Sequence, residues 1–178
     1  MKTWLTIGVF LTLFLGTTLT VSANGVIPVD GDRVSAELLQ PGYVWFTGPK
    51  NKPTHVVEHG REFFGKELWQ GDEYLTGEMF NEVNWDANFK ACESMPCVGD
   101  VAGGNIWGTA WVDLDAFDGG WEAPYKYEIS ARGFVYTFDG IWIAEGWGEL
   151  EGWTIEMHVA QDGNTVTETF WGFVYPPE

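Results

Sequence analysis

The sequence predicts an all-β protein built as a single antiparallel eight-stranded barrel, with a two-sheet sandwich as the alternative. Three observations carry that expectation. From residue 54 onward, segments of about 6 to 12 residues rich in Val, Ile, Thr, Tyr, Phe and Trp alternate with Gly, Asp and Asn punctuation. No run of helical period extends beyond about two turns. Glycines at 104, 108, 133, 140, 146, 148, 152 and 172 interrupt those segments beside or near aromatic residues, as in Trp107-Gly108, Trp147-Gly148, Gly152-Trp153 and Trp171-Gly172. Glycine inside a strand marks a sharp bend or a large side chain lying across the backbone, so this density favours a curved, closed sheet over a flat one.

Residues 1–23 read as a secretory signal. Lys2 lies near the amino terminus, residues 4–15 (WLTIGVFLTLFL) are apolar, and Val21-Ser22-Ala23 places small residues at a cleavage point. The apolar run is shorter than the roughly 20 residues a spanning helix needs. Cleavage after Ala23 leaves 155 of the 178 residues and moves the net charge from −17 to −18, because Lys2 is lost. Such a charge repels phosphate backbones and anionic lipid, which removes nucleic acid and an electrostatically held membrane from the expected partners. A hydrophobic fraction of 45% excludes disorder. The expected product is a soluble protein outside the cytoplasm, secreted or periplasmic.

Residues 24–53 read as an irregular N-terminal arm, rich in Gly, Pro and Asp, with one short apolar cluster at Tyr43-Val44-Trp45-Phe46 and room for a single helical turn at Val34 to Leu39. The barrel domain is then expected over residues 54–178. Its strands are placed near 54–59, 62–69, 73–85, 105–114, 123–137, 141–151, 153–160 and 165–175. In 153–160 (WTIEMHVA), Trp153, Ile155, Met157 and Val159 share one face and Thr154, Glu156 and His158 the other. Asp162-Gly163-Asn164 supplies a hairpin turn, and the following strand sets Val166, Glu168, Phe170, Gly172 and Val174 against Thr165, Thr167, Thr169, Trp171, Phe173 and Tyr175. Cys92 and Cys97, with four residues between them, are expected to form a disulfide closing a hairpin loop in an oxidising compartment. Four intervening residues do not fit a Cys-x-x-Cys redox pair.

Gly71-Asp72-Glu73-Tyr74-Leu75-Thr76-Gly77, Gly104-Asn105-Ile106-Trp107-Gly108, Gly119-Gly120-Trp121-Glu122 and the spacing of Gly146, Gly148, Leu150 and Gly152 carry a resemblance. Over about residues 55–175 the chain resembles secreted barrels of the allene oxide cyclase and dirigent type, which share their shape with the lipocalins. The resemblance implies an eight-stranded barrel, with ring closure in an apolar cavity or the steering of radical coupling as activities. Its motifs are turn and packing glycines, and no catalytic residue of either family carries over to a position here.

His55-Val56-Val57-Glu58-His59 matches the H-x-x-E-H string of zinc peptidases, whose chemistry needs both histidines on one helical turn. On a strand Glu58 faces away from the histidines, which lie about 13 Å apart, so the string reads as an ordinary strand. Asp113, Asp115 and Asp118 on a loop at 113–120 invite calcium, yet Pro124 stands where an EF-hand would need its bidentate carboxylate. Glu128, Glu145, Glu149, Glu151 and Glu156 offer carboxylates for glycoside hydrolysis, although an acidic chain supplies such sets by chance. Serine chemistry has only Ser35, Ser94 and Ser130 after the signal, and no nucleophile elbow.

A barrel of eight strands can hold one small ligand inside. Arg132, Glu145 and His158 are the polar residues expected to orient it, with Trp107, Trp111 and Trp153 as apolar walls. The expected role is non-enzymatic binding of a small apolar or aromatic molecule, with no cofactor and no metal. The alternatives are a cyclase or isomerase using the same cavity, and a carbohydrate-binding module or structural protein. Oligomeric state is left open.

Overall fold

The computed structural model describes residues 25–48, 56–89, 101–132, 135–161 and 168–178. Among them are nine strands: β1 (Ile27–Gln40), β2 (Tyr43–Thr47), β3 (Val56–Gly71), β4 (Gly77–Phe89), β5 (Val101–Leu114), β6 (Gly119–Arg132), β7 (Val135–Gly148), β8 (Thr154–Gln161) and β9 (Glu168–Tyr175). Every neighbouring pair is antiparallel, in the order β1-β9-β8-β7-β6-β5-β4-β3-β2. A further pairing of β1 with β3 closes eight of these strands into a barrel and leaves β2 outside. The expected fold class is therefore the observed one. The signal residues, His55, the two cysteines and the Asp162-Gly163-Asn164 turn lie outside the described residues.

The closing strand comes from the segment read as an irregular arm, and this is a correction. Ile27–Gln40 is β1, paired with β9 through Ile27 to Asp32 and with β3 through Gly31 to Gln40. The expected helical turn at Val34 to Leu39 is likewise strand. Its Pro, Gly and Asp content gives it little strand propensity of its own; two waiting backbone edges override that preference. The expected strands 54–59 and 62–69 fuse into β3, so the barrel reaches eight by a different count.

Alternation then builds the core. Ala110, Val112 and Leu114 of β5, Trp121, Ala123, Tyr127 and Ile129 of β6, and Ile155, Met157 and Val159 of β8 all point inward and are buried. Burying each large apolar side chain contributes roughly 1.5–3 kcal/mol. One end of the barrel is plugged. Leu75 of the β3–β4 turn, Leu150 of the β7–β8 turn and Trp121 are almost wholly inaccessible, and the Trp121 Nε1 donates to the Tyr74 carbonyl at 2.9 Å. Asp72 ties this plug to β1, its carboxylate accepting from the Asp30 backbone N–H at 2.8 Å. The unfilled space lies above the plug, toward the other end.

Several glycines do what strand glycines were expected to do, but for partners across the sheet. A Cβ on Gly60 would stand 2.5 Å from the Trp85 ring, one on Gly108 2.9 Å from the Tyr125 hydroxyl, and one on Gly140 2.1 Å from the Tyr127 ring. The sequence-adjacent tryptophans are not the ones laid over these glycines.

Candidate functional site

The barrel holds a partly open cavity of about 220 Å³. Its walls are Trp69 of β3, Met79 and Val83 of β4, Ile106 and Ala110 of β5, Tyr125 and Tyr127 of β6, Phe138 and Trp142 of β7, and Val159 of β8. Its polar residues are Arg33 of β1, Glu67 of β3, Asn81 of β4, Gln161 of β8 and Glu168 of β9.

A bulge puts Glu67 inside. The β3–β4 register runs from Gly60 opposite Trp85 to Phe63 opposite Val83, so Arg61 and Glu62 together face Asn84. Before the bulge the even residues Val56 and Gly60 are buried; beyond it the odd residues Glu67 and Trp69 are. One extra residue has exchanged the two faces of the strand. Glu62 sits in the bulge at φ 60°, and its backbone N–H donates to the Asn84 Oδ1 at 3.1 Å.

The polar residues form one network. Arg33 Nη1 donates to Glu67 Oε1 at 3.1 Å and to Glu168 Oε1 at 2.7 Å, and all three side chains are about nine-tenths buried. Trp69 Nε1 donates to Glu67 Oε2 at 3.3 Å. Asn81 turns its Nδ2 toward Glu67, at 3.5 Å, while its buried Oδ1 accepts no hydrogen bond among the described residues. A buried acceptor left in that state costs about 1–3 kcal/mol. Burial, and then the neighbouring Glu67, push the Glu168 carboxyl up to about 8 against the opposing pull of Arg33. Burial first, with Glu67 and Glu168 second, also raises the Tyr125 and Tyr127 phenols above the usual tyrosine value. Both phenols therefore stay neutral at physiological pH.

Of the residues proposed from sequence, Glu145, His158, Trp107, Trp111 and Trp153 do not line the cavity. Glu145 is exposed on the outer wall, next in sequence to the buried Ala144. His158 is also on the outer wall, stacked on Trp171 with centroids 5.1 Å apart. Trp107 and Trp111 alternate out of phase with the buried Ala110 and Val112, and Trp107 lies outside under the Arg61 guanidinium at 4.6 Å. Trp153 packs at the plugged end, stacked with Tyr74 at 5.8 Å. Arg132 ends β6, and its side chain is outside the description. Glu145 and His158 thus do not converge in the interior, because the alternation of β7 and β8 gives the inner face to Trp142, Ala144, Ile155, Met157 and Val159.

Sequence reasoning missed Arg33, Glu67, Asn81 and Glu168. One signal was available: Glu168 shares its strand face with Phe170 and Val174, an acidic residue on an apolar stripe. Arg33 was hidden by its place in the presumed arm, and Glu67 by the bulge.

The other chemical motifs resolve as surface or packing features. His59 is bridged on the outer wall between Asp86 Oδ1 and Thr47 Oγ1, each at 2.7 Å. Glu58 instead accepts from the Trp85 Nε1 at 2.9 Å, so Glu58 and His59 diverge as strand geometry requires. Burial works to raise the Asp86 carboxyl, but hydrogen bonds from Arg61 and His59 outweigh it and hold the group below the usual carboxylate range. On the acidic loop the Asp118 backbone N–H is taken by Glu149 at 2.9 Å. Among the described residues no three His, Cys, Asp or Glu side chains are grouped to hold a metal ion.

Comparison with known proteins finds no matching family, no similar curated protein and no similar solved structure. No family thus supports the resemblance to allene oxide cyclase and dirigent proteins; what the structure bears out is a closed eight-stranded antiparallel barrel.

Proposed function

We propose that this protein binds a small, largely apolar or aromatic molecule inside the barrel, as a soluble protein exported from the cytoplasm. The observation that carries the reading is the 220 Å³ cavity, walled by aromatic and aliphatic side chains and ending in a few convergent polar groups. Such a composition is that of a ligand site, in which the apolar wall supplies affinity and the polar groups orientation. The volume is below the roughly 300–1,000 Å³ of drug-sized sites, which sets the occupant at about one ring.

Saturation-transfer NMR with toluene as probe tests this. Magnetisation is expected to pass to toluene from the parent protein and not from Ala110→Phe, whose added ring fills the space beside Ala110. Absence of transfer from a folded parent protein would overturn the reading.

A cyclase or isomerase in the same cavity is the second reading, and Glu168 is what favours it. A buried carboxyl that keeps its proton near neutral pH, beside a second carboxylate, is the arrangement from which general acid and base pairs are made.

A further inference from the structure

The cavity's polar groups say which functional group the ligand carries. Two independent features agree. The first is charge: one guanidinium, Arg33, stands between two carboxylates, Glu67 and Glu168, so the fully ionised network carries one surplus negative charge. A ligand carboxylate would add a third acid to a single base. The second is hydrogen-bonding capacity: Asn81 Oδ1 is a buried acceptor with no donor among the described residues, lying over Gly65 where a Cβ would stand 2.8 Å from it. Its amide cannot be turned to help, because its Nδ2 faces Glu67. Charge and the Asn81 oxygen thus point the same way, and the partner they call for is a cationic donor.

Resting on the proposed ligand-binding reading, we propose that the barrel interior takes a small aromatic amine in its cationic form, with the ammonium group set against Glu67, Glu168 and Asn81 and the ring among the aromatic walls. An ammonium offers three N–H donors and one positive charge, which meets both deficits at once. Aromatic rings that line a desolvated site also attract a cation. The low dielectric that makes the surplus negative charge unfavourable in the empty barrel makes its neutralisation by the ligand favourable.

The empty barrel handles that surplus by keeping a proton on Glu168. An arriving ammonium lets the carboxyl ionise, so binding releases a proton. Arg33, Glu67, Tyr125 and Tyr127 face Glu168 from β1, β3 and β6; the two raised phenols stay neutral across this range. Affinity should accordingly increase as pH rises toward about 8, by up to about tenfold per unit.

Calorimetric titration of the full chain with benzylamine, benzyl alcohol and benzoate, in buffers of different ionisation heat, separates the outcomes. Benzylamine is expected to bind at least about tenfold more tightly than benzyl alcohol, with proton release to buffer, and benzoate most weakly. Glu168→Gln should shrink the preference for benzylamine, with its melting curve as the check on folding; the three-ligand series needs no variant and decides the question if that one does not fold. Equal or tighter binding of benzyl alcohol, or tightest binding of benzoate, overturns the amine while leaving the cavity as a ligand site. Silence from all three overturns both.

Discussion

At the scale of single residues, the folded chain places two groups in states they would not choose alone. Glu168 is one. Burial and the neighbouring Glu67 push its carboxyl up to about 8, well above the usual range of a glutamate. Between that range and about 8 the folded chain binds more protons than the unfolded chain, so stability is full below the range and declines as pH rises toward the upper value. Glu168→Gln removes this dependence. Urea denaturation across the range should show the parent losing stability relative to the variant as pH increases, and parallel curves would mean that Glu168 ionises as an ordinary surface carboxylate does.

Glu62 is the other, held at φ 60° in the β3 bulge. A residue with a Cβ pays about 1–2 kcal/mol there, and glycine does not. Glu62 is exposed, and its hydrogen bond to Asn84 uses only the backbone N–H, which glycine retains. Glu62→Gly should therefore raise the unfolding free energy by about 1 kcal/mol. A loss of stability in the same denaturation assay would show that the bulge needs the glutamate side chain.

At the scale of strands, the legible parts are those in which one alternation runs unbroken. β8 is the clearest case: Ile155, Met157 and Val159 are buried and Thr154, Glu156 and His158 are not, as the pattern of two requires. β3 could not be read in this way, because the extra residue at Arg61 and Glu62 exchanges its faces midway. β1 could not be read at all from local preference, since it is a strand only by virtue of the edges of β3 and β9. The candidate site fell to the same two causes, with Arg33 on β1 and Glu67 beyond the bulge. The glycine pattern was legible in kind, while its partners were set by cross-strand register that adjacent sequence does not contain. Gly140 and Tyr127 make this measurable. A Cβ at 140 would stand 2.1 Å from the Tyr127 Cδ1, which a packed ring cannot yield without moving. Gly140→Ala should cost about 1–3 kcal/mol in the parent chain and much less in a Tyr127→Ala background. Additive losses in the double-mutant cycle would place the need for glycine elsewhere.

At the scale of the whole molecule, a chain of 178 residues carries 26 acidic and 9 basic side chains. Some of those charges are locally paired, as Lys66 with Glu78 and Arg61 with Asp86 are. Pairing cannot go far with so few bases, and the net −17 remains as self-repulsion spread over a closed surface. Unfolding relieves that repulsion by separating the charges, so it acts against the compact state. Screening should remove it: the Debye length falls from about 30 Å at 0.01 M salt to about 8 Å at 0.15 M, from longer than the distance across a small barrel to less than it. The melting temperature is therefore expected to rise with sodium chloride over this range and then level off. Most of the gain should come before 0.15 M, where screening changes most steeply over molecular distances. A melting temperature that fell with salt would mean that the close ion pairs of the outer wall outweigh the long-range repulsion, since the buried Arg33 network is screened least.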